Sequence, residues 1–424
     1  MKKNFRFLLL MNFILITLIV IQYTPISVAT NGNDIQQITH NIYNDTAPII
    51  QVDPQKYIHT IWNGWEIYAP SYPISYMTDK GAGETGIIMD RLVYESYKDL
   101  AIDSNGIPHI TFRSPNDLGR FDVVYTNLSN GHFNPIENLT YDTNYKWDTK
   151  IAIDSNDVIH VIYNAYNGTL FSPFNISYIN TSTGWFGTPI NVYSNIFPSW
   201  DLALAVDSNG KVHLAWKMDF LLFSNIYYTN NTQGSFGPPV DISADDSVND
   251  SKPAIAMDSQ DYAHVTWVKG NNPSEIYYTR YNSSDGNFTI PINITGTPTW
   301  METNPSICVD SNDVIHIAYE GTTATDSEIY YLKKSGDSFN SPINLTKNSY
   351  DDFNTSITVD SSNNIHLVWE TWINNIADIF YTIVGTQIIP EGGGIPCLEW
   401  LLLFLGTLIA LTAVVVIFWR RKKR

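Results

Sequence analysis

The sequence predicts an all-β fold, a seven-bladed β-propeller whose N-terminal strand closes the last blade, followed by one C-terminal transmembrane helix. Three observations carry this. First, an aspartate is followed six residues later by a histidine at Asp53–His59, Asp103–His109, Asp154–His160, Asp207–His213, Asp258–His264, Asp310–His316 and Asp360–His366. A tyrosine comes 20 to 24 residues after each aspartate: Tyr76, Tyr125, Tyr178, Tyr228, Tyr278, Tyr331 and Tyr381. Successive aspartates lie 50, 51, 53, 51, 52 and 50 residues apart, the mark of a repeat architecture. Second, no stretch between residues 34 and 388 carries an apolar period of 3.6. Third, copies two to six end on a strand such as Pro135–Thr140 or Pro342–Thr346, the seventh stops at Ile379–Thr382, and the missing strand stands at Asp34–Thr39.

From the N-terminus, Lys2, Lys3 and Arg6 precede an apolar run from Phe7 to Tyr23, and Ser27-Val28-Ala29 offers small residues at a cleavage site. Residues 1–29 are expected to be a secretory signal peptide. Residues 30–388 form the propeller ectodomain.

One copy shows how a blade is read. In the fourth, Leu204-Ala205-Val206 leads into the turn Asp207-Ser208-Asn209-Gly210, whose Asn and Gly tolerate the positive φ of a tight hairpin. Strands at 212–216, 225–229 and 239–243 follow, and four strands per repeat make a propeller blade. The aromatics after each histidine (Trp62, Phe112, Tyr163, Trp216, Trp267, Tyr319, Trp369) read as packing between blades.

After the ectodomain come a linker at 389–398, a transmembrane helix at 399–419 and a basic tail at 420–424. Trp400 to Trp419 carries no charge and at 1.5 Å per residue spans about 30 Å. Arg420 to Arg424 is uniformly basic and is expected to stay cytoplasmic, which places the propeller outside the cell on a single-pass anchor. Setting aside the basic residues of signal and tail, and Glu399 at the start of the helix, leaves 16 against 41 acids, a net charge of −25 that repels nucleic acid. Thirteen Asn-x-Ser/Thr sequons offer glycan acceptors in a secreted chain. The two cysteines, Cys308 and Cys397, make no disulfide framework.

Residues present in every copy are scaffold. The Asp-Ser-Asn-Gly turn supplies two or three oxygens where calcium needs six to eight, and the aspartate side chain serves its own turn. One histidine per blade cannot converge on a tetrahedral zinc ion; a buried Asp–His hydrogen bond is the expected use. Neither metal nor cofactor is expected.

The repeat aliphatic-x-Val-Asp-Ser-Asn-Gly-x-Val-His-x-x-Trp, followed by Ile-Tyr-Tyr-Thr, resembles the sialidase-like (Asp-box-related) propellers of bacterial and archaeal surface proteins. Ser284-Asp285-Gly286-Asn287-Phe288 and Ser335-Gly336-Asp337-Ser338-Phe339 are degenerate versions of the family's Asp-box turn. The resemblance implies a scaffold over 34–388. Sialidases hold a substrate carboxylate with three arginines, whereas the ectodomain has only Arg91, Arg113, Arg120 and Arg280, in positions that do not suggest convergence.

A site is expected where the copies disagree. One ring of unlike residues follows the second-strand aromatic: Asn63, Arg113, Asn164, Lys217, Val268, Glu320 and Glu370. Another stands six residues before each motif aspartate: Ala47, Tyr97, Asp148, Asp201, Lys252, Asn304 and Asn354. Both should surround the channel mouth. Trp147-Asp148 and Trp200-Asp201, in adjacent copies, set two carboxylates beside two indoles: an acid/base pair, a cation site, a sugar-stacking cleft or ordinary rim polarity. The candidate ligand-binding residues are Trp147, Asp148, Trp200, Asp201, Arg113, Lys217, Glu320 and Glu370. The expected function is a membrane-anchored binding or adhesion module for an extracellular glycan or protein; the alternative is a glycan-active hydrolase or lyase using a carboxylate pair.

Overall fold

The computed structural model describes residues 29–30, 33–41, 43–65, 73–80, 84–89, 97–117, 119–169, 172–243, 247–282, 286–297, 300–323 and 325–384. The expected signal peptide (Ala29 apart), linker, membrane helix and tail lie outside the described residues, as do Arg91 and Cys397. All secondary structure among the described residues is strand, and no helix there is long and apolar enough to cross a membrane.

Each sequence repeat folds as its own antiparallel meander. The fourth runs Ser199–Val206, Val212–Asp219, Ser224–Asn230 and Val240–Asp241, strand pairing with next strand in order. The expected strands are all present; the first three are longer than read from sequence and the fourth shorter. A single parallel bridge, Ser274 to Met301, joins the fifth and sixth sheets. In the last repeat, Asp351–Val359, Ile365–Ile373 and Ile376–Val384 pair in order, and Gln36–Gln37 adds the fourth strand with Gln36 opposite Tyr381 and Gln37 opposite Phe380. The Ile38 amide extends that pairing to the Ile379 carbonyl at 2.8 Å.

The hydrophobic core sits between sheets. Leu100, Ile110 and Phe112 pack with Ile61, Ile74 and Tyr76 across the first two sheets. The same arrangement recurs at each neighbouring pair up to the last and first, where Val368, Ile379 and Tyr381 pack with Ile50 and Trp62. Dispersing the apolar surface over seams makes every sheet depend on two neighbours.

The recurring residues build these seams. Each motif aspartate accepts the amide four residues on through Oδ1, as Asp207 does from Lys211 at 2.8 Å and Asp258 from Tyr262 at 2.9 Å. Its Oδ2 faces the repeat histidine Nε2, from 3.1 Å at Asp258–His264 to 3.6 Å at Asp360–His366. The histidine Nδ1 lies 2.6–2.7 Å from the tyrosine hydroxyl in every repeat. An acceptor carboxylate on Nε2 assigns the proton to that nitrogen and leaves Nδ1 to accept from tyrosine. The expected Asp–His hydrogen bond forms at His213 and His264, whereas in the other copies the carboxylate stands 3.4–3.6 Å from Nε2 and the tyrosine is the hydrogen-bond partner. A phenylalanine from the next sheet's turn then packs edge-on against that tyrosine: Phe133 on Tyr76, Phe186 on Tyr125, Phe236 on Tyr178, Phe288 on Tyr228 and Phe339 on Tyr278, with centroids 4.9–5.4 Å apart. Phe288 and Phe339 end the two Asp-box-like turns.

Turns also bond to turns. The Ser104 hydroxyl donates to Asp157, Ser208 to Asp261 and Ser259 to Asp313, each acceptor sitting in the left-handed region of the next turn. Where that position is glycine the turns approach too closely for a side chain: a Cβ on Gly210 would lie 2.7 Å from Asp154 Oδ2.

Candidate functional site

The innermost strands do not run straight. Pairing with the second strand skips two residues between Thr46 and Ile49, Lys146 and Thr149, Trp200 and Ala203, Ser251 and Ala254, Thr303 and Ser306, and Phe353 and Ser356. These are β-bulges, and Ala47, Asp201, Lys252, Asn304 and Asn354 inside them adopt φ of 49–51°. A bulge turns its side chains off the pleat. As a result all seven residues of the ring six before the motif aspartate line one cavity of about 490 Å³: Ala47, Tyr97, Asp148, Asp201, Lys252, Asn304 and Asn354. The ring that follows the second-strand aromatic does not line it.

Asp148 and Asp201 thus share a cavity. Asp148 is buried; its Oδ2 accepts the Leu202 amide of the next sheet at 2.8 Å, its own amide donates to Asn164 Oδ1 at 2.8 Å, and Oδ1 has no hydrogen-bond partner among the described residues. Burial raises its pKa against the pull of Lys150, and the neighbouring charges of Asp201 and Asp99 push the same way. Asp201 is half-buried, and its Oδ2 accepts the Lys252 amide at 3.1 Å. Trp147 and Trp200 stand edge to face at 5.8 Å, and Phe174 continues from Trp200 at 5.7 Å. The Arg113 guanidinium, buried, lies 5.6 Å from the Trp147 ring centroid, 4.9 Å from Tyr97 and 4.4 Å from Phe121. Arg113, Trp147 and Trp200 therefore form one cluster on the second to fourth sheets, adjacent in sequence to Asp148 and Asp201, which alone of the five line the cavity.

Of the other three candidates, Lys217 stands directly opposite Trp200 on the neighbouring strand, and Glu320 and Glu370 stand elsewhere. Lys217 pairs with Asp219 at 2.9 Å. Glu320 is buried, pushed up in pKa by burial, and accepts the Asn354 amide of the next sheet at 2.6 Å. Glu370 accepts the Ala47 amide at 2.7 Å and the Trp372 indole at 3.0 Å. Both glutamates hold the neighbouring bulge in place.

Three further charged residues line the cavity that the repeat pattern did not single out: Lys98, Asp99 and Lys150. Lys98 donates from Nζ to the Ala47 carbonyl at 2.8 Å, and Asp99 Oδ2 accepts the Ile151 amide at 3.0 Å. Burial brings Lys98 down to about 7, with the Lys150 charge pushing the same way. Burial raises Asp99; Lys150, set between Asp148, Asp99 and Asp201, is raised despite its own burial. The signal was present. Four residues before the motif aspartate the other copies carry Ile49, Ala203, Ala254, Ser306 and Ser356, and only the second and third place a charge there. Among the described residues no group of three or more His, Cys, Asp or Glu side chains could hold a metal ion.

No known family model matches the chain, and no curated protein matches it. Solved structures do. A polysaccharide lyase of family PL25, an ulvan lyase bound to -[GlcA(1-4)Rha3S]-, superposes with a TM-score of 0.58 at 9% identity over 81% of this chain and 95% of its own. The polysaccharide lyase Uly1 gives 0.54 at 8% identity over 85% and 94%. A Trypanosoma rangeli sialidase gives 0.46 at 11% identity over 86% and 58%, too distant to carry an argument. At such identities likeness shows the fold alone, and that fold is a β-propeller of the sialidase-like kind that the repeat resembles.

Proposed function

We propose that the chain is a glycan-active enzyme, a hydrolase or lyase, working at the cavity that its innermost strands line. The observation that carries this is Asp148. Its Oδ2 accepts the Leu202 amide, Oδ1 is buried with no partner among the described residues, and burial raises its pKa. Asp148 is therefore assigned the role of the acid. Asp201 in the same cavity supplies a second carboxylate, the division of roles on which acid/base cleavage of glycans depends. Beside that cavity the half-buried Trp147 and Trp200 offer ring surface for a sugar face, and the buried Arg113 guanidinium holds the Trp147 ring in place. Two lyases of the same fold, one holding an oligosaccharide, support a glycan as the substrate class.

The proposal extends to architecture and place. The propeller has seven blades, the last completed by residues 34–39, and is displayed outside the cell through residues 399–419 with 420–424 in the cytoplasm. Protease treatment of intact cells that removes the propeller and spares a C-terminal epitope tests the topology.

For activity, the purified full-length protein is incubated with a panel of neutral and acidic polysaccharides, following new reducing ends and the conjugated double bond of an elimination product. Turnover is expected on at least one polymer, and Asp148→Asn should lower kcat roughly 100-fold or more with Tm near the parent. Tight binding without turnover across the panel would replace the enzyme reading with the adhesion module. Full activity in Asp148→Asn would remove Asp148 from the chemistry.

A further inference from the structure

We propose that the seams joining the fifth, sixth, seventh and first sheets are proton-sharing joints, closing the ring more tightly in acid than above neutrality. The inference is independent of any activity at the cavity.

It starts from two positions in the repeat. Three residues before the repeat tyrosine the last three copies place Glu275, Glu328 and Asp378; eight before the motif aspartate the sixth, seventh and first place Glu302, Asp352 and Asp45. The seam brings each member of the first set against one of the second. Thr297 holds Glu275 with its amide at 3.0 Å and donates its hydroxyl to Glu302. Asn348 donates its amide to Glu328 at 3.0 Å and its side chain to Asp352 at 2.8 Å. Thr39, from the N-terminal strand, donates to Asp378 at 3.1 Å, and Asp45, held by the Asn41 side chain at 2.7 Å, sets its charge beside Asp378. At the first two of these seams one short polar residue thus serves two carboxyl groups.

Five of these six acids are buried, Glu302 and Asp352 completely. Two carboxylates that close, out of water, cannot both be charged at little cost; one keeps its proton. Burial first, then the partner's charge, brings Glu302 and Asp352 up to about 7, and Asp378 up to about 6. The other titratable groups facing them do not relieve the repulsion. Tyr319 and Tyr330 face Glu302, Asp326 and Tyr330 face Glu328, and the tyrosines are themselves raised by burial.

Other seams use the same positions differently. Between the fourth and fifth sheets they carry Asn225 and Asp250, with Lys269 Nζ 3.9 Å from Asp250. Between the third and fourth they carry Asn175 and Ser199, which bear no charge. Paired acids are confined to three consecutive joints that include the one made by the N-terminal strand.

A folded pKa above the unfolded value gives stability that is full below the unfolded carboxyl range, about pH 4, and lost as pH rises through 6 to 7. The test compares the full-length protein with Glu302→Gln/Asp352→Asn/Asp378→Asn by thermal unfolding from about pH 5 to about pH 8. The expected result is a Tm difference, variant minus parent, that grows with pH across that window. Parallel profiles would overturn the proposal. So would calcium chloride restoring the parent at high pH, since the pairs would then hold a cation and not a proton. If the triple variant does not fold, Glu328→Gln alone serves: loss of its charge should move the parent's alkaline decline to a lower pH and shrink it, and an unchanged profile is a negative result.

Discussion

The Asp–His–Tyr unit shows what one residue type does when repeated. The aspartate spends one oxygen on its own turn and the other on histidine, and the tyrosine hydroxyl closes the line. Every donor is buried, so the unit has no substitute partner in water. Asp258→Ala should cost about 1 to 3 kcal/mol by stranding the His264 Nε2–H and turn amides, read as a shift of the urea midpoint with unchanged slope. A variant as stable as the parent would mean that water replaces the carboxylate. The period and residue types were legible in the sequence. That tyrosine, not aspartate, is the closer histidine partner was not, because the two lie on different strands and their approach depends on strand register.

At the level of elements, the N-terminal strand and the bulges decide how the molecule is held. Asp378 binds Gln37 at 2.9 Å and Thr39 at 3.1 Å, Thr39 accepts the Ile379 amide at 2.8 Å, and Asn44 accepts the Ala377 amide at 3.0 Å. Deleting residues 33–40 removes this strand and exposes the edge of Ile376–Val384. The truncated protein is expected to melt well below the parent and to associate through the bare edge, seen as a larger species in size-exclusion chromatography. A truncated protein that melts like the parent and stays monomeric would show that the pairing is dispensable. The bulges were not legible. Pro48, Pro253 and Pro305 follow the left-handed residue in three copies, but without a partner strand they read as breaks near a strand start.

For the whole molecule, the buried histidines set the acid limit. Burial lowers His59, His109, His160, His316 and His366 below the free value of 6.5. A depressed folded pKa gives stability present above about 6.5 and lost as pH falls through the folded value, because the unfolded chain takes the proton more readily. Five such groups act together, one in each of five sheets. In a Glu302→Gln/Asp352→Asn/Asp378→Asn background, which removes the opposing gain of the paired acids, the urea midpoint is therefore expected to fall steadily below about pH 6, in the same direction as the loss from the lowered aspartates Asp207, Asp258, Asp310 and Asp360 at still lower pH. A midpoint constant down to about pH 4 would contradict the neutral, buried state of these rings.

By itself the sequence determined the β architecture, the repeat boundaries, the strand that completes the last repeat, and two rings of unlike positions of which one faces the cavity, because each is written in spacing and alternation along one chain. Only the tertiary structure decided what those positions do. Glu320 and Glu370 hold neighbouring bulges, Asp148 keeps one buried oxygen without a partner among the described residues, and paired acids meet at three seams. Each outcome is set by which group arrives within hydrogen-bond reach from 20 to 323 residues away in the chain. Desolvation then fixes the charge, and desolvation belongs to the packed assembly, not to any one residue.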